Sequence, residues 1–459
     1  MKTSQHVSVA HSKQKAILLF VVALTFCYIK SINRLPFTTA TTTAATATTA
    51  IVPSVGSEKK KPAKRTYPLQ VHVPAFNVST YGPPFCSSVL PTFHGAPEGS
   101  KHDMDIHMAR GIKYREKGSL QSFPGGGHVL IHPYPLDGSV AKCSAWDVPS
   151  GKAMVDVGNN KNGYSEWVVP PAPRRTPDLQ VSGPHVFFHS WFPGNYGHFL
   201  VDHLPSIAWL REQVTADTKF LLYSDELSQK FMKWFDDTFY QRIVWIEVGQ
   251  LVRVVDGDLM VLHRGYKNTH TTLISTFHRW SDSRSSVLLS GRKKLPDTIV
   301  FHSRSGRNAF HGRVVDMEHE QTILKMIRHA MIKHHRTEKL VIFNGFINGS
   351  AMTFQQQYEL MQSASLLIGP HGTGMCNAVF MAAGSSCANR PKMIEFTCGQ
   401  NPQCTVHEGG GSLRNAYYLL STAPWLDYHQ VDFDGKKSSD NATFIHLDSF
   451  EQALNVILG

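Results

Sequence analysis

The chain has 459 residues, 42% of them hydrophobic, which is enough for a folded core and, at this length, for two domains rather than one. Its formal net charge is +11, but ten bases and a single acid, Glu58, lie before Thr66, so that segment carries +9 and the remainder only +2. A nucleic-acid binder needs its basic surface on the folded domain, so the charge does not point to nucleic acid and no such partner is expected.

The first predicted element is the uncharged run "AILLFVVALTFCYI", residues 16–29, between Lys15 and Lys30. It is shorter than the ~20 residues that span a bilayer comfortably. Extension to Ile32 with Lys30 snorkelling to the interface lengthens it. A cleaved signal peptide is the rival reading, but no A-x-A site follows within a few residues. The expectation is a signal anchor over residues 16–32, with residues 1–15 as a basic cytosolic tail. The Thr/Ala tract "TTATTTAATATTA" cannot build a core, and with "EKKKPAKR" it reads as a stem over residues 33–66. N-x-S/T sequons follow at Asn77, Asn348 and Asn441, as expected of a lumenal, N-glycosylated domain. Cys27 lies in the apolar run, and some of Cys86, Cys143, Cys376, Cys387, Cys398 and Cys404 are available for disulfides there.

Residues 67–182 are rich in Gly, Pro and His, with short strands such as "HVLIH". Beyond them strand and helix alternate. "HVFFHSWF", "KFLLYS" and "RIVWIEV" read as strands, with "HFLVDHLPSIAWLREQ" and "ELSQKFMKWFDD" as helices. "RVVDGDLMVL" reads as two strands joined by an Asp-Gly hairpin turn. From Lys294 the rhythm repeats: strands "TIVFHSR", "KLVIFNGF", "SLLIGP" and "KMIEFT" alternate with helices "MEHEQTILKMIRHAMIK", "FQQQYELMQSA" and "GMCNAVFMAA". This alternation predicts an α/β protein with parallel sheets, simplest as two Rossmann-like domains around a cleft. Ligands of such sheets bind beyond the carboxyl ends of the strands.

Three loops meet that condition. In "GNYGHFLVDHLP", His198 and Asp202 are four apart and share a helix face. Either Asn195 caps the helix and the pair is a structural polar contact, or Asp202 is a general base. A zinc site from His185, His189, His198 and His203 matches no ligand spacing, and no metal is expected. In "HSRSGRNAFHGR", Arg304, Arg307 and Arg313 form either a solvated basic loop or a phosphate site. In "LLIGPHGTGMCNAVF", Gly369, Gly372 and Gly374 allow close backbone approach at the start of a helix. There His371 stands where it could donate to a diphosphate. Glu395, in the next strand, either accepts from a ribose or sugar hydroxyl or merely ends the strand.

Taken in order, "GNYGHFLVDHLP", "FHSRSGR", "GPHGTGMCNAVFMAAGSS" and "MIEF" resemble the signatures of family 61 glycosyltransferases, which include plant β-1,2-xylosyltransferases and O-linked N-acetylglucosaminyltransferases. The resemblance covers residues 187–396. It implies a GT-B fold, a UDP-sugar donor (xylose, N-acetylglucosamine or arabinose), a glycan or glycoprotein acceptor, inversion at the anomeric carbon and no metal or other cofactor. Residues 67–290 would be the acceptor-side domain and residues 291–459 the nucleotide-sugar domain, lumenal in the Golgi or endoplasmic reticulum. Asp202 falls on the position of the base, with His198 orienting it. Arg304, Arg307, His371, Gly372, Thr373, Gly374, Asn377 and Glu395 would hold the donor. Thr373 and Met375 replace residues that are more commonly Ala and Leu.

Competing readings are a metal-dependent GT-A transferase using Asp256 and Asp258, a sulfotransferase, for which no Walker-like loop is present, and an inactive glycan-binding scaffold. The lumenal reading has its own test. Endoglycosidase treatment is expected to increase the gel mobility of the expressed protein; an unshifted band with cytosolic fractionation would remove it.

Overall fold

The computed structural model describes residues 70–72, 80, 92–94, 118–132, 142–147, 173–188, 196–264, 271–289, 296–305, 315–384, 386–397, 424–437 and 443–459. The chain divides into two units, Met1–Arg65 and Thr66–Gly459, and all of these residues belong to the second. The expected anchor and stem, Asn77, Asn195, Arg307 and Asn441 lie outside the described residues. No helix among the described residues is long and apolar enough to cross a membrane.

The first part of the chain gives β1 (Gln70–His72), β2 (Thr92–His94), β3 (Gly118–Phe123), β4 (Gly127–His132), β5 (Lys142–Asp147), β6 (Leu179–Ser182) and β7 (His185–Phe188). A single turn, α1 (Tyr196–His198), then a π-helical stretch, Phe199–His203, lead into α2 (Leu204–Gln213). The continuous helix expected here is therefore interrupted. Pro205 has no N–H to offer the carbonyl of Val201 and its ring would crowd that group, so the ladder widens and the Leu204 N–H bonds Phe199 O instead. The chain continues through β8 (Lys219–Tyr223), α3 (Glu226–Phe235), α4 (Asp237–Tyr240), β9 (Ile243–Ile246), β10 (Leu251–Val255), β11 (Leu259–Arg264) and α5 (Thr271–Leu288).

These strands, β2 apart, form two sheets. One runs β1-β3-β11-β7-β8-β9, parallel from β11 to β9; the other runs β5-β4-β10-β6. Phe220, Leu221 and Leu222 of β8 are all buried, as expected for a strand covered on both faces. The Asp-Gly hairpin expected between β10 and β11 is not formed. The two strands do not pair with each other: β10 pairs with β4 and β6, and β11 pairs with β3 and β7. The chain turns a corner from one sheet to the other, alongside the same corner between β6 and β7. Gly257 makes this possible, because a Cβ there would lie 2.2 Å from the backbone of Gly183. Asp256 takes a φ of 54°, a conformation that aspartate tolerates better than most residues.

The second part supplies β12 (Thr298–His302), α6 (Met317–Lys333), β13 (Lys339–Phe343), β14 (Phe346–Ile347), β15 (Ser350–Ala351), α7 (Phe354–Gln362), β16 (Ala364–Pro370), β17 (Lys392–Thr397), β18 (Asp427–Lys437), β19 (Thr443–Ile445) and α8 (Leu447–Leu458). The Asp316 carboxylate caps α6 by accepting from the N–H groups of Glu318 and His319. α7 begins with a reciprocal capping box between Thr353 and Gln356. The sheet order is β13-β12-β16-β17-β18-β19, parallel as far as β18, with β2 added in parallel to β18. Counting from β12, this is the 2-1-3-4-5 order of a doubly wound sheet, whose switch point lies between β12 and β16.

One core joins the two parts. It contains Val186, Phe220 and Leu222 from the first sheet, Val300, Leu367 and Met393 from the third, and the apolar faces of α2, α3 and α5 between them. His278 of α5 is buried in this core, stacked on Trp425 with ring centroids 4.1 Å apart. Burial pushes its imidazole down to about 4, against the opposing pull of Asp282 and a backbone hydrogen bond. The unfolded chain takes up this proton near the ordinary value of about 6.5, whereas the folded chain refuses it. The associated stability is complete above that pH and drains as pH falls toward 4, at about 1.4 kcal/mol per pH unit. His278→Phe keeps the stacking and is expected to flatten the fall in unfolding free energy between pH 6.5 and 5. An unchanged slope would remove His278 as its source.

Candidate active site

The site is assembled where β12 and β16 diverge. After β12 the chain leaves the sheet at His302, and Ser303, Arg304 and Ser305 follow. This loop is tied down from α6 by Glu320, only 3% exposed. The Glu320 carboxylate accepts from Ser303 Oγ at 2.8 Å, Ser305 Oγ at 2.6 Å and the Ser305 N–H at 3.2 Å. Three donors on one buried carboxylate offset its loss of water and fix the loop backbone. Arg304 is thereby turned toward the neighbouring loop, where its Nη1 donates to the carbonyl of His371 at 2.8 Å.

The second loop follows β16. Its glycines are required for space. A Cβ on Gly369 would stand 2.7 Å from the Cβ of His302, one on Gly372 2.1 Å from Arg304 Nη1, and one on Gly374 2.4 Å from the His302 ring. The backbone of this loop is thus the surface on which His302 and Arg304 lie. His371 is held at both ends: its N–H donates to Phe396 O at 2.9 Å, and its Nδ1 lies 2.8 Å from Glu395 Oε1. Tyr428 donates to the other Glu395 oxygen. Glu395 is 1% exposed, so it bears on a ligand through His371 rather than by direct contact.

The α-helix expected after these glycines is a 3-10 helix, Thr373–Phe380. The segment is squeezed between the His302 ring at Gly374 and the core at Phe380, and the narrower helix fits that space. Asn377 projects within it, its Nδ2 donating to Gly374 O at 3.2 Å and more weakly to Gln357 Oε1 at 3.4 Å.

An open cavity of about 650 Å³ borders the same loops. Tyr196, Phe343, Met352 and Phe354 give it apolar walls, and His302, Thr373, Gly374 and Asn377 contribute polar groups. Leu227 and Lys230 reach it from α3. Tyr196 stacks on Phe354 with centroids 6.0 Å apart, and burial pushes its phenol up, so it remains a protonated hydroxyl. Of the residues expected to hold a donor, Thr373, Gly374 and Asn377 line this cavity. Arg304, His371, Gly372 and Glu395 form the linked cluster on the same two loops.

His198, on α1, and Asp202, on the π-helical stretch, stand on segments that both pack against the Thr373–Phe380 helix. Their side chains meet, His198 Nδ1 lying 2.6 Å from Asp202 Oδ2. The His198 side chain is 24% exposed and that of Asp202 8%, so the imidazole is the outer member of the pair. A carboxylate behind an imidazole fixes the ring's orientation and tautomer.

The other candidates lie elsewhere. Asp258 accepts from Ser122 Oγ at 3.2 Å, and Asp256 lies 3.5 Å from Ser182 Oγ, both at the corner between the sheets. Among the described residues no group of three or more His, Cys, Asp or Glu is arranged to hold a metal ion. His185 of the weighed zinc set bonds Gly183 O, and His189 lies outside the described residues. Asn348 is exposed at the tip of the β14–β15 hairpin, with a φ of 50°. Sequence reasoning passed over His302, Tyr196, Glu320 and Tyr428. His302 was legible by its place at a strand end; the other three are recruited by packing.

The tight glycines give a graded expectation. Gly374→Ala must displace the His302 ring from a buried position and is expected to cost about 1–3 kcal/mol. Gly372→Ala meets only the far end of the Arg304 side chain and should cost less. Urea unfolding of the two variants checks the order.

Comparison with known proteins bears on the same segment. The Glycosyltransferase 61 family model matches residues 196–388. A search among curated proteins returns no match. Among solved structures the chain is similar to a dodecameric iron-containing heptosyltransferase, TibC, in complex with ADP-D-β-D-heptose. The two share 10% identity and a TM-score of 0.29, over 74% of this chain and 91% of that one. The match over residues 196–388 takes in the α1 turn, the Arg304 loop and the glycine loop, and in that segment the chain is similar to the Glycosyltransferase 61 family.

Proposed function

We propose that the protein is an inverting, metal-independent glycosyltransferase with a GT-B-like arrangement, moving xylose, N-acetylglucosamine or arabinose from a UDP-sugar to a hydroxyl of a glycan or glycoprotein. The observation that carries this reading is that all three site segments border one short helix, Thr373–Phe380. Arg304 and His371 are locked together at the switch point of a doubly wound sheet, and the His198–Asp202 pair stands on segments packed against the helix that follows.

In this reading the acceptor hydroxyl attacks the anomeric carbon from the face opposite the diphosphate. The new C–O bond forms as the bond to the diphosphate breaks, its electron pair leaving with the phosphate oxygen. The hydroxyl proton passes to the His198–Asp202 pair. The charge growing on the diphosphate is the largest in the reaction, and fixed donors aimed at it lower the barrier most. Arg304, His371 and the first N–H groups of the Thr373–Phe380 helix would supply them, with Arg307 as a further cation. The cavity beside Tyr196 and Phe354 is of a size and apolar character suited to part of the donor. A lumenal site on a type II membrane protein remains part of the proposal, and a disulfide at Cys387 supports an oxidising compartment.

Two measurements test this. Arg304→Ala and His371→Ala are each expected to weaken UDP binding by about 10- to 100-fold, the range for a lost charged hydrogen bond, in calorimetry with saturating EDTA. Unchanged affinity in both would put the diphosphate elsewhere. Asp202→Asn should leave UDP affinity nearly intact and lower turnover by ~10²–10⁴, with His198→Gln costing less if the imidazole only orients. The reverse ranking would make His198 the base. Near-full turnover in both would dismiss the pair.

A further inference from the structure

We infer that Glu395 and Tyr428 form a positioning relay that holds the His371 imidazole in the orientation needed to meet a diphosphate; this rests on the donor reading above. The three side chains come from successive parts of one parallel sheet. His371 follows the end of β16, Glu395 stands on β17 opposite Gly369 and Gln430, and Tyr428 stands on β18 opposite Met393, two residues before Glu395. Sheet register therefore brings them to one face at the carboxyl end of the strands.

The contacts are specific in direction. The Glu395 carboxylate has only acceptor oxygens, so the hydrogen between it and His371 sits on Nδ1. This fixes the ring and its tautomer. With the Nδ1 hydrogen directed at Glu395, donation to a phosphate oxygen from the other nitrogen requires the ring's second proton. Tyr428 donates to the second carboxylate oxygen, which keeps the carboxylate from rotating away from the ring. Glu395 is 1% exposed, Tyr428 3% and His371 6%, so the relay is shut away from water, where each of these bonds is strongest. Arg304 adds a second constraint by bonding the His371 carbonyl, so both backbone and ring of this residue are held.

A purely architectural role would satisfy the same three groups, and a double-mutant cycle separates the two. UDP binding is measured by calorimetry for Glu395→Gln, which keeps the shape and removes the charge, and for Tyr428→Phe. Each is measured alone and combined with His371→Ala. Glu395→Gln is expected to weaken UDP binding by about 10-fold and Tyr428→Phe by about 3-fold, on the scale of single outer hydrogen bonds. Glu395→Asp should bind UDP better than Glu395→Gln. In the His371→Ala background both effects should shrink to within about twofold, because there is no ring left to hold. Equal losses with and without His371 would reduce the relay to architecture and overturn the inference. So would unaltered binding in both single variants while His371→Ala remains impaired. Should Glu395→Gln fail to fold, the cycle with Tyr428→Phe decides alone. If the wild-type protein binds no UDP, the donor reading itself falls, and the relay with it.

Discussion

The packing of one short apolar helix, Thr373–Phe380, holds the rest of the site in place. Met375, Cys376, Ala378, Val379 and Phe380 are all buried, and Phe380 meets Phe231 of α3, Phe277 of α5 and Tyr358 of α7. Gln362 Nε2 donates to the Phe380 carbonyl at 2.7 Å and closes its last turn. One end of this helix is therefore set in the aromatic core shared by the two parts of the chain, while the other end is the glycine loop. Burying a Phe side chain contributes about 1.5–3 kcal/mol, so several apolar residues in a row fix the loop far more firmly than its own hydrogen bonds could.

The buried acids beside the loops work differently. Glu320 and Glu395 are costly to bury as charges, and Glu320 is compensated by three donors and Glu395 by two. Such a carboxylate holds its partners by direction, which apolar contacts cannot do. The result is a pair of loops whose side chains are oriented before any ligand arrives. Pre-arranged charge is worth most where new charge develops during reaction, because no reorganisation is needed at that moment.

The sequence made some of this legible and hid the rest for identifiable reasons. β12 and β16 were visible as unbroken apolar runs because both faces of each strand are buried. α6 was visible from its periodicity and its acidic start. α5 had no such signal. Its stretch is crowded with Thr and Ser, weak helix formers, and only the burial of Leu273, Ile274, Phe277 and Trp280 on one side sustains it. The interruption of the helix at Pro205 and the corner at Gly257 are each decided by a single steric fact, which periodicity does not carry. Within the site, the glycines, Arg304 and His371 could be read from their place after strands. Tyr428 could not, being 33 residues from the carboxylate it serves and brought there by strand register alone.

The addition of β2 to the edge of β18 bears on how the chain reaches this structure. Residues 92–94 lie beside residues 429–431, and His94 Nε2 stands 3.0 Å from His429 Nδ1 across a separation of 335 residues. A strand emerging early from the ribosome waits for nearly the whole chain before its neighbour exists. Closing so long a loop carries a large entropic cost and slows folding. A fragment beginning after His94 would therefore present the β18 backbone at residues 429–431 as an open edge, the kind of surface on which strands of other molecules add.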